Sequence, residues 1–236
     1  MKTLLRSNQD RWHKQEPWKK SAYAFVPYRT HFGELCGFAD DVVQGGHGFG
    51  LHPHQEMEIS TIVVAGAQQH EDSTGSQHHV TENMVQTMSA GTGIQHSEVN
   101  ASSTEPFHSY QIWVYPKVNS VSPRHATFTY QPADKLNRIL LTLSPDGRNG
   151  TAIINQDAFF SVSRLQPGTM IDYTMYLPGN GVYLHCVSGE IAVAEHKLRS
   201  GDALGVYETG GPITITAVVD SELIFVEVPM TRGIQI

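Results

Sequence analysis

His52, Pro53 and His54 form a His-x-His dyad, and His96, Ser97 and Glu98 form a His-x-Glu dyad after a gap of residues 55–95. In an extended strand the side chains at i and i+2 share a face, so each dyad would present two metal-ligating groups together. Two such strands facing one another inside a small barrel would close a site of three imidazoles and one carboxylate. These donors suit a borderline divalent ion such as iron(II), manganese(II), nickel(II), copper(II) or zinc(II), and the lack of thiolate argues against a Cys-type structural zinc site. Four ligands on a six-coordinate ion leave open positions, which O2 or a chelating substrate needs.

The strands that carry the dyads must be placed. Pro53 has no N–H to give to a ladder, so its strand is expected at a sheet edge or a strand start, as at the mouth of a barrel. Gly45, Gly46, Gly48 and Gly50 precede the first dyad, and Gly91 and Gly93 precede the second. Both runs are compatible with bends or close backbone approach, delivering the dyads to one rim. Positions 52, 54, 56 and 58 share one parity, so Glu58 competes with Glu98 for the fourth position, and spacing leaves that choice open.

Segments 59–64, 108–115, 181–187, 213–219 and 223–228 are rich in β-branched and aromatic residues, and turn formers cluster between them at 72–76, 89–93, 144–147, 177–181, 200–202 and 209–212. Short strands at this spacing argue for an all-β sandwich or barrel. The two halves resemble weak repeats of one another, joined over residues 116–131, where Pro123 interrupts the strand pattern. The expected division is 1–120, carrying the metal site, and 121–236. Helical signal is confined to one short turn within 133–141.

A formal charge of -7, with 16 Lys and Arg scattered along 236 residues, lacks the footprint of a nucleic-acid binder. Met1–Leu5 runs at once into Arg6–Arg11 and no segment approaches membrane-spanning length, so a cytoplasmic protein is expected, with Cys36 and Cys186 as free thiols. Of 13 histidines, eight fall between residues 47 and 108, which places metal chemistry in the first half. His70, His78 and His79 flank the turn at 73–76 and read as a solvated loop. His47 reads as a loop residue near the rim and His185 as an isolated strand histidine. Trp113 and Tyr115 alternate with Ile112 and Val114, for which packing is the default. No catalytic Ser-His-Asp order, phosphate-cradling loop or dinucleotide fingerprint is evident; Gly46-x-Gly48-x-Gly50 precedes no helix pattern.

Taken together, Asp40-Asp41-Val42-Val43, Gly48-Phe49-Gly50, His52-Pro53-His54, Met57-Glu58-Ile59, His70-Glu71-Asp72-Ser73-x-Gly75, Met88 to Ile94, His96-Ser97-Glu98 and Tyr110-Gln111-Ile112-Trp113 resemble the pirin family, specifically its compact bacterial members. The match is specific over 38–116 and looser beyond, where Val187-x-Gly189 and Ser200-Gly201-Asp202 look like a degenerate cupin. The resemblance implies an all-β bicupin of two β-barrels with one mononuclear metal in the N-terminal barrel. It also implies His52, His54, His96 and Glu98 as ligands, Glu58 outside that set, and no metal in the second barrel. Thr81-Glu82-Asn83 and Ala65-Gly66 depart from the family's usual turns, without touching a ligand position.

Two functions follow as expectations from the resemblance. One is a quercetin 2,3-dioxygenase, with a flavonol-like substrate, O2 and one divalent metal, iron(II) foremost and copper, nickel, manganese, cobalt or zinc as alternatives. Glu98 would serve as the catalytic base for the flavonol 3-hydroxyl. The other is a non-enzymatic, redox-sensing regulator that acts through protein partners rather than through DNA. A monomer is expected in either case.

Overall fold

Alternation decides the strands that matter most. Ile94–Asn100 alternates without a break, with Ile94, His96, Glu98 and Asn100 buried and Gln95, Ser97 and Val99 more open. The computed structural model describes all 236 residues as strands joined by loops and short 3-10 turns, with no α-helix. The turn expected within 133–141 is a 3-10 turn at Pro132–Lys135.

The strands form four sheets. In the first half, a large sheet runs through Trp12–Glu16, Lys19–Phe25, Leu35–Val43, Phe107–Val114, Glu58–Ala65, Met84–Ser89 and Arg124–Thr129. A four-stranded sheet, in the order Gly48–His54, Ile94–Asn100, Ala67–Asp72, Gln77–Thr81, closes it into a barrel. In the second half, Ala203–Tyr207, Asn180–Ser188, Ser221–Pro229, Phe159–Leu165 and Leu140–Ser144 form the large sheet, and Met170–Tyr173, Ile213–Ala217, Glu190–Val193 and His196–Arg199 the small one. The architecture is the two-barrel one expected.

Chain order is not kept at the ends. Lys2–Arg6 pairs with Ala203–Tyr207 in the second barrel, while Ile234–Gln235 pairs with His31–Phe32 in the first. The stretch where the strand pattern lapses in sequence also contains a strand, Arg124–Thr129, hydrogen-bonded to Met84–Ser89.

The two large sheets face each other, and the largest apolar cluster, of 22 residues, lies between them. It joins Phe25, Phe38, Tyr110 and Ile112 to Phe160, Tyr183, Ile224 and Val226. The interior of the second barrel is filled by 15 apolar residues, among them Leu184, Ile191, Leu198, Ile215 and Phe225. The first barrel differs. Its apolar clusters hold only six and four residues, and Gln68, His70, Gln86, His96 and Glu98 are buried alongside them. Burying so many polar groups costs free energy unless they are bonded or serve a ligand. No helix is long and apolar enough to cross a membrane.

His185 belongs to the interface between the barrels. It is packed against Phe38 and Tyr110, with Nε2 3.2 Å from the Tyr110 hydroxyl. Burial, helped by the Arg11 charge, pushes its pKa down to about 3. An unfolded imidazole titrates near 6.5, so protons favour the unfolded chain. The stability His185 contributes is therefore complete above about pH 6.5 and is lost as pH falls towards 3, at no more than about 1.4 kcal/mol per pH unit. His185→Phe is expected to show a shallower fall in melting temperature between pH 7.5 and 5 than the unsubstituted protein, followed by circular dichroism. An unchanged slope would contradict the assignment.

Candidate metal centre

Gly48–His54 is an edge strand, as Pro53 requires, and pairs only with Ile94–Asn100. His96 lies opposite His52, and Pro53 opposite Gln95. Between His96 and Glu98 the register slips, with Glu98 opposite Phe49. Gly48 makes that slip possible, because a Cβ there would collide with Val99 Cα and the Glu98 carbonyl oxygen. Before the second dyad, Gly91 and Gly93 take positive φ angles that return the chain from Met84–Ser89 to Ile94–Asn100.

This framework brings His52, His54 and His96 together, with one potential ligand atom from each within 4.8 Å of the others. His52 Nε2 and His96 Nε2 are 3.0 Å apart. The His52 ring is oriented by its Nδ1–H, which donates to the Gly50 carbonyl at 2.7 Å and leaves the Nε2 lone pair aimed at the cluster. Burial, reinforced by the neighbouring imidazoles, holds His54 down at about 4 and His96 at about 3. Both rings are therefore neutral near pH 7 and offer lone pairs. Such convergence of unprotonated nitrogens is what a divalent metal resolves, and the donor chemistry fits one.

Glu98 is buried on the same inward face, but it groups with His96 and His70 rather than with all three sequence-predicted histidines. Its Oε1 accepts from Gln68 Nε2 at 2.7 Å and its Oε2 from Gln111 Nε2 at 2.6 Å. Gln111 Oε1 in turn accepts from the Trp113 indole N–H at 2.9 Å. His96 is the member common to both groupings. Glu58 takes part in neither; its Oε2 accepts from the Ser89 hydroxyl and the Asn155 backbone N–H.

His70 corrects the expectation of a solvated loop. It lies on Ala67–Asp72, fully buried, opposite Glu98 across the ladder. Gln86 Nε2 donates to its Nδ1 at 2.8 Å, and its Nε2 faces Asp72 Oδ2 at 3.5 Å. His78 is on Gln77–Thr81 and stacks on His125 with centroids 3.6 Å apart. Only His79 of the three is exposed. The signal was present in Gln68-x-His70, a third inward dyad, but without the register nothing linked it to Glu98.

Trp113 is likewise more than packing. Its ring meets His54 edge-on at 4.9 Å. It lines a pocket of about 270 Å3 together with Lys19, Tyr23, Phe38, Phe49, His52, His54 and Gln111. His47 stands at the side of this region, stacked on Trp18 at 6.2 Å.

A family model described as Pirin matches residues 6–114, and one described as Quercetinase C-terminal cupin domain matches 141–228. The quercetin 2,3-dioxygenase of Escherichia coli (strain K12) is 34% identical over 232 residues, which cover 95% of this chain and 98% of that protein. The chain belongs to the pirin family. Among solved pirins, the bacterial pirin YhhW in complex with nickel(II) from Escherichia coli matches with a TM-score of 0.89 at 33% identity, covering 97% of this chain and 99% of that one. A quercetin 2,3-dioxygenase from Acinetobacter baumannii, 17% identical, matches with a TM-score of 0.78 over 96% of this chain and 79% of that one, which speaks for the shared bicupin fold. This pirin thus has two barrels of one architecture, one polar inside and one apolar.

Proposed function

We propose that this pirin is a metal-dependent dioxygenase that cleaves a flavonol or a related enolic aromatic compound with O2, and that His52, His54, His96 and Glu98 hold its metal, iron(II) foremost. The observation that carries this reading is the convergence of three imidazoles, two of them, His52 and His54, lining an aromatic pocket, with a buried carboxylate, Glu98, on the strand of the third, His96. The name of the Escherichia coli relative and the nickel(II) in the YhhW complex lend it support.

When bound, the metal would supply open coordination positions, Lewis acidity towards an enolic hydroxyl, and redox exchange with O2. The rest falls to the chain. Phe49 and Trp113 flank a flat ring and exclude water from it. The Gly50 carbonyl fixes the His52 tautomer. Glu98, oriented by Gln68 and Gln111, accepts the proton of the substrate hydroxyl at one of its carboxylate oxygens. Trp113 holds Gln111 in the orientation that keeps its N–H towards Glu98.

Protein purified without oxygen, assayed for metal and then given quercetin and O2, tests the reading. Oxygen uptake with release of carbon monoxide is expected in proportion to metal content. Bound metal without uptake on any flavonol would favour the regulatory alternative, and protein that binds no divalent metal would remove both.

A further inference from the structure

Lys19 is 93% buried by side-chain area, at 7% exposure, yet its ammonium is poorly bonded. Its shortest polar contact is the Tyr23 hydroxyl at 3.4 Å. The carboxylates that face it, Asp41 at 3.9 Å and Glu16 at 4.0 Å, balance its charge from beyond hydrogen-bonding distance. Asp41 Oδ1 already accepts from the Ser21 hydroxyl. A lysine kept only to neutralise Asp41 would close on it, because a buried cation gains most from a direct charge-assisted bond. Instead Nζ sits over the Phe49 ring, 4.6 Å from its centroid, and 5.5 Å from that of Trp18. Lys19 and Phe49 line the same pocket as His52, His54 and Trp113. Buried donors in native structures find good acceptors, and the pocket that Lys19 lines with Phe49 and Trp113 is where a stronger acceptor than the Tyr23 hydroxyl has room.

We infer that Lys19 is a specificity residue that anchors an anionic aryl oxygen, a phenolate, on an aromatic substrate whose ring rests against Phe49 while its other end meets the histidines. The inference rests on the reading of this pocket as the substrate site. It narrows the substrate class from flat aromatics in general to those bearing an ionisable hydroxyl away from the metal-facing end. Phe49 serves both partners, since the ring that attracts the ammonium also stacks on the aryl group.

The test uses metal-loaded full-length protein and two probes of near-equal size, 4-nitrophenol, whose phenolate is read by its absorbance, and 4-nitroanisole, which cannot ionise. The unsubstituted protein is expected to bind the phenolate at least tenfold more tightly than the anisole, and Lys19→Arg to keep that preference. Lys19→Met is expected to abolish it with metal content unchanged. Lys19→Gln, which retains a donor towards Asp41, gives the same reading if the methionine variant does not fold. Persistence of the preference in the neutral variants would show that the metal or another group holds the phenolate and would overturn the inference, as would equal binding of the two probes by the unsubstituted protein. Oxygen uptake with quercetin, recorded on the same samples, separates the two readings. Phenolate preference without turnover keeps Lys19 in its role and removes the flavonol reaction, whereas turnover without preference removes only the role of Lys19.

Discussion

His96→Ala is expected to lose at least about a hundredfold in affinity for a divalent metal, more than the ten- to hundredfold that loss of a supporting contact typically costs. His96 sits on the central one of the three strands that face the site and belongs to both groupings of ligating side chains. Its ring centroid lies 4.4 Å from that of His52, 4.8 Å from that of His54 and 5.0 Å from that of His70. Removing it leaves the other imidazoles without a common focus. The thermal readout separates this from a packing defect. A metal that binds only the folded state raises the melting temperature once its concentration exceeds its Kd, by an amount that grows with the logarithm of their ratio. Added metal should therefore stabilise the unsubstituted protein and leave His96→Ala unmoved, while the two melt closer together in chelator. Glu58→Gln serves as the control, because Glu58 is bonded to Ser89 and Asn155 outside both groupings. Metal loss in Glu58→Gln with retention in His96→Ala would invert the proposed ligand set.

The sequence and the structure meet most closely where one strand's own periodicity is enough. Inward placement of His96 with Glu98, and the edge position of Pro53, follow from parity and from a missing N–H, both local properties. What escaped is what depends on pairing across tens of residues. His70 reaches Glu98 only because Ala67–Asp72 flanks Ile94–Asn100 on the side away from His52. Lys19 and Trp113 meet at one pocket because their strands both flank Leu35–Val43 in the large sheet. A lysine in Trp18-Lys19-Lys20 reads as solvated until that sheet buries it. The exchange of terminal strands between barrels is hidden for the same reason. The all-β class and the weak repeat of the halves were legible in turn spacing and strand composition, and the two barrels followed from the resemblance to pirins, but the core of 22 residues between the large sheets was in neither. Those strands are largely buried on both faces, with polar residues such as Ser60, Gln86 and Ser161 buried among the apolar ones, and composition does not say which face meets the other barrel.

Glu98→Gln is expected to fold, to retain the three imidazoles in place, and to lose turnover by about 10²- to 10⁴-fold, the usual span for removal of a general base. The substitution preserves shape but replaces one acceptor oxygen by an NH2 group, in a position where both oxygens accept from amide donors. One of those contacts must become donor against donor. Gln111 resists turning over, since its Oε1 holds the Trp113 indole N–H at 2.9 Å, so the new NH2 group should face Gln68, whose amide can invert. The cost to stability is then small, below the roughly 1–3 kcal/mol of a buried polar group left unsatisfied. The chemical loss is not recoverable in this way, because an amide cannot take the proton of the substrate hydroxyl. A flavonol absorbs at longer wavelength once that hydroxyl is ionised, so the readout is direct. Quercetin added without oxygen should show the shift with the unsubstituted, metal-loaded protein and not with Glu98→Gln at equal metal content. Appearance of the shifted band in the variant, with turnover still lost, would move the proton acceptor elsewhere and leave Glu98 as a ligand alone. His70, the other buried group beside Glu98, would then be the first to replace.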